Sequence, residues 1–194
     1  MSLRVVVAAD IDYRERRHGE AERLVAELSR QAALLDREAR QTLQRLQGDL
    51  YLRKGQYAKA AASYAEIAPE GMAHEASVHR NYGIALRFSE ACPTALQQFQ
   101  LAIRQSEKDR AANSRILQDA LSGAGDCHLL SRKYGEAVTA YRQAVEAAQR
   151  ERRRLVLVDE VERGLGQGRG VGHGSSSPSS SGSKSADRST LSWA

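Results

Sequence analysis

The sequence predicts an all-α protein built as a solenoid of about four antiparallel helix pairs, with an extended helix at the end. Three observations support this fold class. Alanine is abundant and aromatic residues make up only 5% of the chain, a mixture that suits close-packed helices better than sheets. Proline occurs three times and never in the middle of a helical pattern. One spacing of small and apolar residues also recurs along the chain, as in a repeat architecture.

The recurring spacing aligns on four small residues, here called the anchors: Ala9, Gly48, Gly83 and Gly125. An alanine follows each anchor at twelve residues, and an aromatic residue or valine follows at sixteen. These positions are Ala21, Ala60, Ala95 and Ala137, then Val25, Tyr64, Phe99 and Tyr141. Further matches lie three, nine or nineteen residues after an anchor: Tyr51, Leu86 and His128; His18, Tyr57 and Tyr134; Leu28, Ala102 and Ala144. The copy that starts at Ala9 is the most degenerate.

The spacing has a physical reason that the copy at Gly48 illustrates. Gly48 and Tyr51, three residues apart, share one face of a first helix, and Ala60 and Tyr64 share one face of a second. Small residues opposite each other let the two backbones approach closely, and the aromatic ring fills the space beside them. Gly55 lies between the helices, where glycine can adopt a left-handed conformation. Each copy therefore predicts a helix, a turn and a second helix.

These copies resemble the tetratricopeptide repeat (TPR), a helix–turn–helix of about 34 residues with small residues where the helices cross. The resemblance covers residues 3–150 and implies a right-handed solenoid. The anchors are 39, 35 and 42 residues apart. The longer steps predict helices that are extended by about one turn, or about 3.6 residues.

The predicted helices follow this register in order. Pro93 fits the first turn of its helix, where its missing N–H costs nothing. The last helix continues beyond the repeat and is expected to cap the open end of the solenoid, with a short extended segment in 155–162 as the alternative. The predicted ranges are 3–16, 19–35, 38–53, 57–68, 74–89, 93–107, 111–131 and 134–162.

The composition changes abruptly after Arg163. Glycine alternates with other residues in "GLGQGRGVGHG", and serine dominates the segment that follows. Neither segment can bury enough apolar surface to offset the entropy of ordering. The alternating glycines also miss the third glycine of a dinucleotide-binding GxGxxG motif. We therefore expect a helical repeat domain at 1–163 and a disordered tail at 164–194.

The sequence predicts no catalytic or metal-binding constellation. Cys127 and His128 are adjacent, so on a helix they point about 100° apart and cannot share a metal ion. Neither a GxSxG nor an HExxH motif occurs. We therefore expect a protein that is not an enzyme and that holds no metal and no cofactor.

The cysteines and the first residues indicate the compartment. Cys92 and Cys127 are the only cysteines and fit no disulfide framework, which favours a reducing environment. The apolar run before Asp10 is too short for a secretion signal or a membrane span. These features predict a cytoplasmic protein without a membrane span.

A partner-binding groove is implied by the resemblance, because in TPR proteins the first helix of each pair lines a concave surface that holds a peptide or helix. Carried over by register, the groove comprises Tyr13, Arg14, Arg45, Asp49, Leu52, Arg53, Arg80, Ile84, Arg87, Phe88, Asp126 and Leu129. The same face includes Val6, Asp10, Ser122 and Leu130. Arginine can hold a carboxylate through two parallel hydrogen bonds, so an acidic or carboxylate-bearing protein segment is the expected partner. Reversing Arg45 and Arg80 is expected to leave the fold intact. The alternative is a face that is charged only for solubility.

Two further comparisons limit the function. One branch of the family clamps the C-terminal carboxylate of chaperones with an asparagine directly after the glycine, but Asp49, Ile84 and Asp126 occupy that place here. The net charge of +5 and the arginine-rich stretch "QRERRRL" at 149–155 leave a nucleic-acid-associated regulator as the alternative function. Interleaved glutamates favour a solvated helix for this stretch. The leading prediction is an adaptor or chaperone-like module that binds a partner protein.

Overall fold

The computed structural model describes the backbone of residues 3–67 and 75–168 and the side chains of residues 4–67 and 75–158. Within these ranges the protein is all-helical and repeat-like, which confirms the predicted fold class. The α-helices are α1 (Leu3–Arg14), α2 (His18–Arg30), α3 (Arg37–Arg53), α4 (Tyr57–Ala65), α5 (Ala76–Phe88), α6 (Cys92–Lys108), α7 (Ser114–Leu130) and α8 (Tyr134–Gly168). A 3₁₀-helix at Ala32–Leu34 joins α2 to α3.

The helices pack in consecutive pairs. Helix α1 contacts α2, α3 contacts α4, and α5 contacts α6. The ring of Tyr141 on Gly125 joins α8 to α7 in the same way. The first helices of neighbouring pairs also lie against one another, α1 on α3, α3 on α5 and α5 on α7. This row of first helices carries the residues that were predicted to bind a partner.

The core lies at the predicted repeat positions. All four alanines twelve residues after an anchor are buried, and so are Val25, Tyr64 and Phe99 at sixteen. The aromatic ring covers the anchor glycine itself: a β-carbon on Gly48 would lie 2.7 Å from the ring of Tyr64, and one on Gly83 would lie 2.7 Å from the ring of Phe99. Glycine is therefore required at the anchors to admit the ring.

The degenerate first copy has the same packing with smaller residues. Ala9 and Val25 are both buried and belong to one core cluster. Because valine is smaller than an aromatic ring, the methyl group of Ala9 fits where the later copies need glycine. Ala21 and Leu28, at twelve and nineteen residues, are buried as well. The alignment of the first copy is thus confirmed at its core positions.

The turns between the paired helices repeat in the same register. The residue seven after each anchor has a positive φ: 63° at Arg16, 69° at Gly55, 62° at Glu90 and 58° at Arg132. In each turn the next residue donates its backbone N–H to the carbonyl five residues earlier, as Gln56 does to Tyr51 at 2.9 Å. This is the hydrogen bond of a Schellman cap. The predicted left-handed turn at Gly55 is confirmed, and three non-glycine residues adopt the same conformation.

Several helix boundaries differ from the predicted ones. Helix α1 ends at Arg14 because Arg16 takes the left-handed conformation. Helix α3 begins after Asp36, whose carboxylate accepts the N–H of Ala39 at 2.8 Å. Helix α7 begins at Ser114, three residues late, because Asp109–Asn113 forms a turn that the N–H of Asn113 closes on the Asp109 carbonyl.

The chain divides into two compact units, Met1–Leu155 and Val156–Ala194. The described part of the second unit is helical backbone up to Gly168. The segment 155–162, for which an extended conformation was the alternative, is therefore helical. Residues 164–168 are also helical, which corrects the predicted start of the disordered tail. The rest of that tail, 169–194, lies outside the described residues.

Candidate functional site

The predicted groove residues lie along the row of first helices α1, α3, α5 and α7. Each helix contributes side chains from the same register, and the contacts between neighbouring first helices bring these side chains side by side. Many of them bind one another, however, and this divides the predicted groove into paired residues and exposed residues.

The aspartates that follow two anchors are engaged with aromatic residues of the repeat. The hydroxyl of Tyr64 donates to Asp49 at 2.5 Å, and that of Tyr141 donates to Asp126 at 2.6 Å. In the pair between them, Ile84 and Phe99 occupy the corresponding positions. An aspartate therefore accompanies each tyrosine and an apolar residue accompanies phenylalanine. These two groove aspartates serve the packing of the repeat.

Asp49 is buried and has further partners. The amide of Asn81 on α5 donates to its carboxylate at 2.8 Å, and Arg45 lies 3.5 Å from it. Burial raises the pKa of Asp49, and its hydrogen bonds with Tyr64 and Asn81 and the charge of Arg45 counteract this rise. The predicted placement of Asp49 on an accessible surface is wrong, because these contacts turn it into the helix interface.

Arg45 links α3 to α1. Its guanidinium donates to Asp10 at 2.8 Å and lies 3.9 Å from Glu75. Burial works to lower the pKa of Arg45, and the hydrogen bond and charge of Asp10 outweigh it, so the pKa lies above its ordinary value. An arginine with these partners is a structural residue, and its contacts do not support the expectation that its reversal leaves the fold intact.

Arg80 and Arg87 link α5 to α7. Arg80 lies 3.3 Å from Asp119, and Arg87 forms an ion pair with Asp126. Both side chains are mostly shielded from solvent. Like Arg45, each arginine of α5 binds an aspartate of a neighbouring first helix, so these three residues form a polar ladder across the row.

The exposed part of the groove begins at the C-terminal ends of α1 and α3. Arg14 and Arg53 are exposed, and Leu52 beside Arg53 is half-buried. Arg14 forms a surface ion pair with Asp10 one turn earlier. Tyr13 lies close to this group: burial raises its pKa, the charge of Asp49 adds to the rise, and Arg53 opposes it. This end of the surface is cationic.

The C-terminal ends of α5 and α7 present apolar groups instead. Phe88 is about half exposed and stacks on Tyr57 with 4.4 Å between the ring centroids. The guanidinium of Arg87 lies 4.0 Å from the centre of the Phe88 ring. Leu129 and Leu130 are also exposed. We call the exposed residues at these four helix ends, Arg14, Arg53, Phe88, Leu129 and Leu130, the rim.

Other residues of the predicted face are placed differently. Val6 is fully buried in the core, which corrects its assignment to the groove. Ile84 is half-buried. The prediction missed Asn81 and Asp119, which complete the polar ladder. Their spacing from the anchors did not identify them. The only indication in the sequence was a residue of opposite charge or a polar residue on the neighbouring first helix that could bind them.

The cysteines come together in the core. Cys92 and Cys127 are free and buried, and they belong to one core cluster. Burial and the contact with Cys92 raise the pKa of Cys127 to about 12. Among the described residues no group of histidine, cysteine and acidic side chains is arranged to hold a metal ion.

The arginine-rich stretch of α8 is largely balanced by its own glutamates. Arg150 lies 3.3 Å from Glu146, and Arg154 lies 2.8 Å from Glu151. Arg152 and Arg153 are exposed. These helical pairs are typical of a solvated helix face.

Comparisons with known proteins support the fold. The chain is similar in structure to BtubC (BKLC) from P. vanneervenii, with a TM-score of 0.55 and 18% sequence identity over 95% of this chain and 86% of that chain. At this identity the similarity concerns the helical fold alone. A search against protein-family models finds no match, and a search of curated proteins finds no similar sequence. Within the described residues, no helix is long and apolar enough to cross a membrane.

Proposed function

We propose that this protein is a non-catalytic protein-interaction module of the TPR type, an adaptor or chaperone-like protein of the cytoplasm. The repeat register supports the family assignment, since core residues and turns recur at the same offsets in the helix pairs. The free, buried cysteines are consistent with a reducing compartment.

The rim carries the proposal. Its cationic half, Arg14 and Arg53, lies on α1 and α3, and its apolar half, Phe88, Leu129 and Leu130, lies on α5 and α7. Exposed aromatic and arginine side chains are enriched where proteins bind one another. We propose that the rim binds a protein segment with acidic residues at one end and apolar residues at the other.

The paired arginines have a supporting role in this proposal. Arg45, Arg80 and Arg87 hold the first helices at fixed spacing through aspartates. A rigid row of helices lowers the entropy cost of binding, because the surface is organised before the partner arrives. The acidic preference of the site then depends on the exposed arginines rather than on the paired ones.

A peptide array tests the proposal. The full chain is screened against peptides in which acidic and leucine or phenylalanine residues occur at varied spacing, and hits are titrated by fluorescence polarisation. Arg53→Glu with Phe88→Ala should weaken binding at least tenfold, through charge repulsion and loss of apolar contact.

The matched control is Arg152→Glu with Arg153→Glu, which reverses two exposed arginines away from the rim. This variant should bind the same peptides as the unaltered chain. Loss of binding in the control alone, or selection of peptides without acidic residues, would contradict the proposal. Binding to the rim should also tolerate moderate salt, unlike the steep salt dependence of polyelectrolyte binding.

A further inference from the structure

Three large side chains are exposed on the outer face of α8. The equivalent repeat positions elsewhere in the chain are covered by the next helix pair. Tyr134, Val138 and Val145 are 61%, 54% and 55% exposed. They lie nine, thirteen and twenty residues after the anchor Gly125. Together we call them the α8 end face.

The equivalent residues of the internal pairs contact the first helix of the next pair. At nine residues, Tyr57 stacks on Phe88 of α5, and Cys92 belongs to one core cluster with Cys127 of α7. At thirteen, Leu96 packs against a cluster that contains residues of α7. At twenty, Ile103 packs against the cluster of Leu117 and Leu121. The α8 end face is thus one half of the interface that joins successive pairs.

The other half of this interface is open at the opposite end of the same chain. Two residues after the anchor, Leu50, Ala85 and Cys127 are buried at 5%, 0% and 0% exposure. The residue at this position in α1 is Ile11, which is 45% exposed, and Val7 one turn earlier is 43% exposed. We call Val7, Ala8 and Ile11 the α1 end face.

We infer that the α1 end face of a second copy of this chain packs on the α8 end face, so that copies associate head to tail. The occupant is identified by register, because α1 already has the form of a first helix and presents apolar residues where the internal first helices are buried. Arg14, five residues after its anchor, would then lie beside Tyr134, in the place where Phe88 lies beside Tyr57. An arginine is a suitable partner for the face of a tyrosine ring.

Head-to-tail contact uses two different surfaces, so a dimer still has one of each surface open and can add further copies. Each added copy leaves one α1 end face and one α8 end face open. The expected behaviour is a concentration-dependent series of oligomers rather than a single dimer. The inference is argued from the two end faces, and Arg14 is the one rim residue that would lie at this contact.

Sedimentation velocity on the full chain, into the high-micromolar range, tests this contact. The unaltered chain should form a ladder of oligomers. Ile11→Glu should be monomeric because its α1 end face is blocked, and Val138→Glu should be monomeric because its α8 end face is blocked. Both residues are exposed, so circular dichroism should show unchanged helix content.

Mixing the two variants is the decisive measurement. The α8 end face is unaltered in Ile11→Glu, and the α1 end face is unaltered in Val138→Glu. An equimolar mixture should therefore form a dimer and no larger species. Leu34→Glu, at a site 76% exposed on the 3₁₀-helix, should associate like the unaltered chain. A monomeric unaltered chain would overturn the inference. Continued association of Ile11→Glu alone would show instead that α8 pairs with itself or with another surface.

Discussion

The ring of Phe99 lies directly on Gly83, so that a β-carbon on this glycine would be 2.7 Å from two ring atoms. Phe99 is fully buried, and its ring also covers Gly123 of α7. One aromatic residue therefore fixes the approach of three helices, α5, α6 and α7. The same arrangement recurs with Tyr64 on Gly48 and with Tyr141 on Gly125.

Replacing Gly83 by alanine should destabilise the protein. The new methyl group meets the buried ring, and the helices must separate or the ring must leave its rotamer, at a cost of about 1–3 kcal/mol. The measurement is urea unfolding followed by circular dichroism.

Gly135→Ala is the matched control, because no atom lies within 4 Å of the position of its β-carbon. Alanine in a helix is favoured over glycine by roughly 0.5–1 kcal/mol, so this variant should be slightly more stable. Equal effects of the two substitutions would show that the ring does not confine Gly83.

The sequence predicted the helix pairs well because their packing depends on local rules. Glycine, alanine and aromatic residues recur at fixed offsets, and those offsets place them on facing helix surfaces. The turn at Gly55 was also predictable, since glycine signals a positive φ. The same conformation at Arg16, Glu90 and Arg132 carried no composition signal and was not predicted.

The groove was less predictable, because register identifies which face a residue occupies and not what it binds. Arg45 and Asp49 were assigned to the groove face, but in the structure Arg45 binds Asp10 of α1 and Asp49 binds Asn81 of α5. The partners Asp10, Asn81 and Asp119 lie 32 to 39 residues away from the residues they bind. Such distant pairs have no local signature. Arg53 and Phe88 were assigned to the groove by the same register, and both are exposed in the structure.

Substitutions at two equivalent positions of the left-handed turns should change the stability of the protein in opposite directions. Glu90 has φ 62° without the freedom of glycine, a conformation that costs a non-glycine residue about 1–2 kcal/mol. Glu90→Gly relieves this strain and adds some unfolded-state entropy, so it should stabilise by about 0.5–1 kcal/mol.

Gly55→Ala places a β-carbon in the same conformation at φ 69° and should destabilise by about 1 kcal/mol. Thermal unfolding of the two variants should shift the melting temperature in opposite directions, by about 2–4 °C for each kcal/mol. Destabilisation by Glu90→Gly would contradict the equivalence of the turns.

The pair of Asp49 and Tyr64 should show strong coupling. Asp49→Ile leaves the buried hydroxyl of Tyr64 and the amide of Asn81 without an acceptor, at an expected cost of about 2–4 kcal/mol. Adding Tyr64→Phe removes one of these orphaned groups and recreates the Ile84 and Phe99 combination of the next pair. The double variant should therefore be more stable than Asp49→Ile alone.

A double-mutant cycle measures this coupling by urea unfolding, with an expected interaction energy of about 1–2 kcal/mol. Tyr51→Phe serves as the control second substitution, because this half-buried tyrosine lies on the same helix as Asp49 without a hydrogen bond to it. Simple additivity of Asp49→Ile and Tyr64→Phe would show that their hydrogen bond contributes nothing to packing.

The thiol of Cys127 should be unreactive in the folded protein. Burial and the contact with Cys92 raise its pKa to about 12, whereas an unfolded cysteine has a pKa of about 8.5. Labelling with a thiol-reactive disulfide at pH 8 should be slow in buffer and rapid in urea. Rapid labelling of Cys127 in the folded state would contradict its placement.

The same shift predicts a pH dependence of stability. The folded state keeps the Cys127 proton to a higher pH than the unfolded state, so folding stability should fall as pH rises above about 8.5 toward 12. Comparison with Cys127→Ala isolates this contribution from other groups that titrate in that range. The stability of the variant should decline less steeply with pH.

Two arginines of α3 should differ sharply when their charge is reversed. Arg45 is 18% exposed at its side chain and lies near Asp10 and Asp49. Arg45→Glu places a third carboxylate between them and removes their only counter-ion on α3, and the loss of a buried ion pair costs about 3–5 kcal/mol. Arg53 is exposed and has no ion pair among the described residues, so Arg53→Glu should change stability by at most about 0.5 kcal/mol.

Urea unfolding of both variants checks this difference, and adding Asp10→Arg to Arg45→Glu should recover part of the lost stability by restoring an opposite charge.

Peptide affinity should show the opposite sensitivity among variants that fold. Reversing Arg53 should weaken binding more than exchanging the Arg45 pair, since Arg53 is the one free to meet a partner. Asp10→Arg with Arg45→Glu exchanges a pair within the helix row and should retain peptide affinity to within a few-fold, whereas Arg53→Glu should lose it. If Arg45→Glu folds as stably as the unaltered chain, the paired arginines are not structural. The preference for acidic partners would then be assigned to the whole groove face and not to the rim alone.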